Sequence, residues 1–344
     1  MSDFPSILMR GRWSYYFRGL WHLLVACTVV MARRSVYGKL RPGWPTHFEI
    51  GTMFLRSQMQ TAFHLDDIKS SREYLDALQF RTSDVEKVHL ELVDDGLVCG
   101  RWFLPEMPRG TILYLHGGGY AHDLRLADQL IRLIAVSSGA AIFSPTYRLA
   151  PEHSFPAQQE DSLVAYEWLL RRGVIPSQLV VVGDSAGGNL ALCLLRALRR
   201  TTLPKPAAAV CISPWIDLSN TGESITANQP FDIIDQEMID RWSRWYVQGR
   251  DPKDPDISPL YADFAGFPPI YFQAGGAEIL IDMIRAYCDR GLREGADIRF
   301  DVWEHMNHIF QIFGSHVPES KEALHRIGQF IATKMDFRCD SPQN

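Results

Sequence analysis

The chain has 344 residues, 46% of them apolar and 22% charged, which is the make-up of an ordinary soluble globular protein of one or two domains with a large core. A formal net charge of −5 provides no basic field, which disfavours nucleic acid as a partner. Six widely separated cysteines (Cys27, Cys99, Cys193, Cys211, Cys288 and Cys339) contain no Cys-x-x-Cys pair and read as free thiols of a reducing, cytoplasmic compartment.

Residues 1–80 are helical and aromatic in pattern, broken at Arg41-Pro42-Gly43-Trp44-Pro45, and show no convincing strand. Within them, residues 19–32 are apolar apart from His22 and are flanked by Arg18 and Arg33-Arg34. Fourteen residues are too few to cross a bilayer as a helix, and the run ends in twin arginines rather than the small residues of a secretory signal. Two readings remain: a helix packed on the rest of the protein, or peripheral membrane contact through residues 10–34, helped by Trp13, Tyr15, Tyr16, Trp21 and the arginines.

Residues 89–93 and 97–103 are extended runs joined by Asp94-Asp95-Gly96, a hairpin signal. Residues 111–115, 140–144, 179–182, 207–212, 269–273 and 298–303 are short apolar runs suited to strands buried on both faces. Segments of helical period (124–137, 157–172, 186–200, 279–294 and 318–334) alternate with them, which predicts an α/β fold with a mostly parallel sheet and helices on both faces. Residues 217–268 are too many for a plain crossover and contain a helical piece, 236–248, with Trp242, Trp245 and Tyr246. The expected organisation is an N-terminal helical cap segment (1–80) and an α/β domain (81–340) carrying a cap insertion at about 218–258.

The chemistry concentrates where Val180-Val181-Val182 runs into Gly183-Asp184-Ser185-Ala186-Gly187 and then into a helix. A serine at such a strand–turn–helix junction projects its hydroxyl clear of the sheet. It needs a base, and the base needs an orienting acid, expected in the chain order serine, carboxylate, histidine. Glu278 and Asp282, after the run ending at Gln273, compete for the acid, with Glu278 favoured because it lies in the loop just past the strand; His305 and His308, after the run ending at Trp303, compete for the base. The run 111–115 leads into His116-Gly117-Gly118-Gly119-Tyr120, whose backbone N–H groups, with that of Ala186, are candidate donors to an oxyanion. No Lys-Ser/Thr follows as a phosphate loop requires, and no His-Glu-x-x-His spacing suggests a metal; no cofactor is called for.

These motifs resemble the hormone-sensitive-lipase-like branch of the α/β-hydrolase esterases over roughly residues 85–335. His116-Gly117-Gly118-Gly119 is similar to that branch's HGGG motif, and Gly183-Asp184-Ser185-Ala186-Gly187-Gly188-Asn189-Leu190 to its GDSAGGNL elbow. Residues 147–153 with Phe155-Pro156-Ala157, Ser213-Pro214-Trp215-Ile216-Asp217-Leu218-Ser219 and Ser258-Pro259-Leu260 match as well. The resemblance implies an α/β-hydrolase fold with an eight-stranded sheet and a helical cap. It implies Ser185 as nucleophile, Gly118, Gly119 and Ala186 as oxyanion donors with Gly117 shaping the loop, and Asp184 as a structural hydrogen-bonder. Its Gly-Met-x-His-Gly-Phe motif aligns with residues 305–310, which makes His308 the base and His305 the stand-in for a glycine. Its acid is usually an aspartate in Asp-Pro-Leu-x-Asp, where this chain has Glu278-Ile279-Leu280-Ile281-Asp282. The implied activity is a serine carboxylesterase acting on short- to medium-chain esters; a lactonase, deacetylase or amidase would use the same residues. A non-catalytic, ligand-binding member of the fold is disfavoured by the presence of His308. The expected partner is a small ester, and the expected state a monomer or homodimer.

Overall fold

The computed structural model describes residues 6–9, 11–81, 85 and 87–335; Cys339 and the last residues of the expected α/β domain lie outside them. The N-terminal part holds β1 (Ser6–Met9), α1 (Trp13–Tyr37), α2 (Thr46–Phe63), α3 (Ile68–Asp76) and β2 (Leu78–Arg81). The remainder runs β3 (His89–Asp94), β4 (Cys99–Leu104), β5 (Thr111–Leu115), α4 (Ala127–Ser138), β6 (Ala141–Pro145), α5 (Ala157–Arg171), β7 (Leu179–Asp184), α6 (Ala186–Leu198), β8 (Ala208–Ile212), α7 (Ser224–Ala227), α8 (Gln236–Val247), β9 (Ile270–Gly275), α9 (Ile281–Arg293), β10 (Ile298–Trp303) and α10 (Pro318–Lys334).

Eight strands form one sheet in the order β10-β9-β8-β7-β5-β6-β4-β3, parallel from β10 to β6, with β4 and the β3 hairpin partner antiparallel at the edge. Strand periodicity divides the core. Val180 and Val182 of β7 join Leu130 and Ile134 of α4 and Ile327 and Ile331 of α10 on one face. Val181, between them, points the other way into a cluster with Leu169 of α5, Leu190 and Leu194 of α6 and Ile284 of α9. Burial on both faces explains why these strands read as continuous apolar runs rather than as alternation.

Two expectations for residues 1–80 need correction. The segment contains strands: β1 and β2 pair antiparallel from Ser6↔Arg81 to Met9↔Leu78. Each is four residues long and its partner lies some seventy residues away, so pairing rather than local pattern stabilises it, and no local signal reveals it. Helix α1 is also longer than the apolar run inside it. It continues to 25 residues because its arginines do not break a helix, and it ends where Gly38 adopts φ 78. At that length it is long and apolar enough to cross a bilayer, which residues 19–32 alone are not. Cys27, Cys99, Cys193, Cys211 and Cys288 are free thiols.

Helix α1 is fastened to α2 by charge as well as by packing. Glu49, 2% exposed, takes Arg33 and Arg34 on its two oxygens, the latter at 2.7 Å. Its Oε2 also accepts from the Leu40 amide at 3.4 Å. Removing the acid leaves two guanidinium groups facing each other in a partly dry crevice. Glu49→Gln is therefore expected to cost on the order of 2 kcal/mol, between the values for exposed and fully buried pairs, read as a lower urea midpoint.

Candidate active site

Ser185 sits alone between β7 and α6 at φ 53, ψ −121, a conformation that side-chain-bearing residues avoid. The turn is possible because Gly187 follows: a Cβ there would be driven into the carbonyls of Leu115 and His116. Beside it, the loop after β5 brings Gly118 and Gly119 to the same cavity, at φ 105 and φ 63. A Cβ on Gly119 would collide with the Trp242 ring. The Gly118 carbonyl accepts from the Ala121 and His122 amides, each at 3.0 Å. The Gly117 N–H donates to Asp184 Oδ1 at 3.0 Å, and Tyr114 Oη donates to the same oxygen at 2.7 Å, so Gly117 shapes the loop and Asp184 braces it. Ala186 opens α6, where backbone amides lack intrahelical acceptors and carry the positive end of the helix dipole.

His308, in the loop after β10, places Nε2 3.0 Å from Ser185 Oγ. Its Nδ1 faces Glu278 Oε2 at 3.7 Å, longer than a hydrogen bond. Such contacts commonly tighten only when substrate is bound. Both groups are buried. Burial pulls the His308 pKa down, but the Glu278 carboxylate, with Asp232 and Asp184 behind it, more than reverses this and holds it above its ordinary value. Glu278 is itself oriented: Ser213 Oγ donates to Oε2 at 2.6 Å and the Gly275 amide reaches the same oxygen at 3.3 Å.

The competitors lie elsewhere. Asp282 accepts from the Ser224 amide at 2.8 Å, tying α9 to α7. His305 is exposed, and its carbonyl accepts from Trp44 Nε1.

Two functional positions were not singled out by motif reasoning. Ser213 belongs to a recognised motif, but its role as the hydroxyl that holds Glu278 depends on β8 and β9 lying side by side. Asp232 has no local signal at all. It is fully buried in the insertion between β8 and β9, and accepts from the Ile233 and His308 amides on Oδ1 at 2.7 and 3.1 Å and from the Ile279 amide on Oδ2 at 2.7 Å. One carboxylate thus clamps both the histidine loop and the residue after Glu278. Burial, with the neighbouring Glu278 charge, pushes its pKa up to about 6.

The cavity that Ser185 and His308 enter is narrow, about 70 Å³, and apolar. Leu55 and Met59 of α2, Ile233, Ile234 and Trp242 of the insertion, and Leu130 of α4 supply its walls. Among the described residues no group of His, Cys, Asp and Glu could hold a metal ion.

Residues 112–312 match the family described as alpha/beta hydrolase fold. An acetyl-hydrolase of Streptomyces hygroscopicus is 38% identical over 246 residues, 71% of this chain and 82% of that protein. An esterase of Acinetobacter venetianus is 32% identical over 229 residues, 66% of this chain and 75% of that protein. A solved esterase of the bacterial hormone-sensitive lipase family superposes with a TM-score of 0.71 at 34% identity, covering 91% of this chain and 98% of its own. The chain belongs to the α/β-hydrolase fold family. Within that family it stands with the hormone-sensitive-lipase-like esterases, carboxylic ester hydrolases of the serine hydrolase class.

The Asp232 clamp makes a testable case. In Asp232→Asn an amide nitrogen must face a backbone N–H on one side, so one of the two loops loses its anchor, and a negative charge that favours protonated His308 is gone. The kcat is expected to fall about ten- to a hundredfold, as for a catalytic group displaced by a fraction of an ångström. The acid limb of kcat/KM should move to lower pH, because a base with a lower pKa stays unprotonated further into acid. A pH–rate profile of both proteins checks the direction.

Proposed function

We propose that the protein hydrolyses short- to medium-chain carboxylic esters through an acyl-enzyme on Ser185. The observation that carries this reading is the 3.0 Å approach of His308 Nε2 to Ser185 Oγ inside an apolar cavity edged by Gly118 and Gly119. With Nδ1–H turned to Glu278, Nε2 is free to take the serine proton as Oγ attacks the ester carbonyl carbon. The carbonyl oxygen becomes an oxyanion and rests on the N–H groups of Gly118, Gly119 and Ala186. As the tetrahedral intermediate collapses, the C–O bond to the alcohol breaks and imidazolium Nε2–H gives its proton to the leaving oxygen. Water then attacks the acyl-enzyme by the same route, His308 taking its proton and returning it to Ser185, with release of the acid.

Residues 1–80 and 218–258 act in this reading as a cap that selects the acyl chain. Supporting it, α2 contributes Leu55 and Met59 to the cavity wall and the insertion contributes Ile233, Ile234 and Trp242. The cavity is small and its lining apolar, which suits the acyl part of a short ester. The name of the Streptomyces relative, an acetyl-hydrolase, points the same way.

Hydrolysis of a p-nitrophenyl ester series tests the proposal. Acetate and butyrate are expected to be cleaved faster than laurate. Ser185→Ala should lower kcat by roughly 10⁴- to 10⁶-fold and abolish labelling by a fluorophosphonate, and Glu278→Ala should lower it by about 10⁴-fold at most. Asp282→Ala, on the far side of the loop, should leave kcat near wild type. An inert wild type on every ester, or equal losses for Glu278→Ala and Asp282→Ala, would overturn the assignment.

A further inference from the structure

Helix α1 presents an apolar surface to solvent that the other described residues do not cover. Tyr15, Gly19, Ala26 and Val30 are its buried residues. On the outer side Trp13, Phe17, Leu20, Trp21, Leu24 and Met31 are all more than half exposed. Their spacing of three and four places them along one stripe of a rod about 37 Å long. A contiguous apolar surface of this kind marks an interaction site rather than ordinary scatter.

Two observations indicate what covers it. Aromatic rings concentrate in the first turns of α1, and Trp and Tyr favour the boundary between water and lipid. The charge is also one-sided: between residues 4 and 48 there are seven Arg and Lys and no Asp or Glu, in a chain whose net charge is −5. Some of this charge is balanced from other elements. Glu73 lies 3.5 Å from Arg12, and Glu49 is shared by Arg33 and Arg34. Arg41 is partly buried over the Phe231 ring and faces the Glu304 charge; Arg18, Lys39 and the surplus of the arginine pair remain, so the flank is cationic.

We infer that α1 lies in the surface of an anionic lipid bilayer and docks the enzyme there by its outer stripe. The helix lies on the membrane rather than across it, because its inner side is committed: Ala26 and Leu23 pack with Leu55 of α2 and with Leu126, and the last two line the cavity. The bilayer surface is therefore one helix layer from Ser185, and esters partitioned into lipid are held close to the pocket. The inference goes beyond the ester-hydrolase reading and does not depend on it.

The test is sedimentation of the full chain with vesicles of phosphatidylcholine alone and of phosphatidylcholine mixed with phosphatidylglycerol, at low and high NaCl. The wild type is expected to bind the anionic vesicles roughly tenfold more strongly than the neutral ones, and less at high salt. The double variant Leu20→Asp, Leu24→Asp changes only exposed side chains. It should lose binding by about tenfold or more while keeping its circular dichroism and its rate on soluble p-nitrophenyl acetate. Wild type that stays in the supernatant with both vesicles overturns the inference. So does a lipid-free dimer that the double variant converts to monomer, which would make the stripe a contact between copies, and so does pelleting that survives high salt and alkaline carbonate, which would make α1 a spanning helix. Loss of vesicle binding with normal ester turnover, or the reverse, separates this inference from the reading of the active site.

Discussion

A single backbone position, φ 53 at Ser185, is the constraint around which the rest of the site is arranged. Such a conformation costs on the order of 1–3 kcal/mol and persists only when its surroundings over-determine it. They do so through three strands. The Ser185 amide donates to the Ile212 carbonyl of β8 at 2.9 Å, and its own carbonyl accepts from the Trp215 and Asn189 amides at 3.0 and 3.2 Å. Glycine at position 187 lets α6 come within contact of the chain leaving β5. Tyr120, Ser213 and Ile309, in the loops after β5, β8 and β10, also hold positive φ, so strain is shared among these three loops.

Holding the glycine loop in place requires charge beneath it. Arg101 on β4, almost wholly buried, grips Asp123 with both Nη atoms at 2.8 and 2.6 Å. Burial alone would raise the Asp123 pKa, yet His116 and the Arg101 guanidinium overcome it and hold the carboxyl at about 2. The His116 ring stacks on Tyr147 with centroids 4.2 Å apart, and Tyr147 Oη donates to the His116 carbonyl at 2.6 Å. Buried ion pairs add little net stability, but breaking one is costly, which makes them effective at keeping a loop in one arrangement. The loop is thus held in one arrangement, the pre-organisation that the proposed oxyanion role of its amides calls for.

The insertion between β8 and β9 couples pocket shape to the chemistry. Ile233 and Ile234, which wall the cavity, directly follow Asp232, which clamps the amides of His308 and Ile279. A change in the wall is therefore felt at His308 and beside Glu278, because the same short stretch anchors both segments. Helix α2 has a comparable double commitment: Leu55 packs against α1 and faces the cavity.

What the sequence alone determined was whatever depends on neighbours along the chain. Periodicity placed the eight strands of the main sheet and the long helices around them to within about three residues, the elbow announced Ser185, and motif register separated His308 from His305. Those signals are local: a strand buried on both faces is a short apolar run, and a tight turn needs glycine at a fixed offset. The tertiary structure decided what depends on distant residues meeting. The pairing of β1 with β2, the hold of Ser213 on Glu278 and the Asp232 clamp join segments tens of residues apart, and the exposed stripe of α1 is a face that none of the other described residues meets. A hydrogen bond to a buried carboxylate leaves no periodic mark on either partner's segment, and a helix reads equally apolar whether its second face meets the core or the solvent.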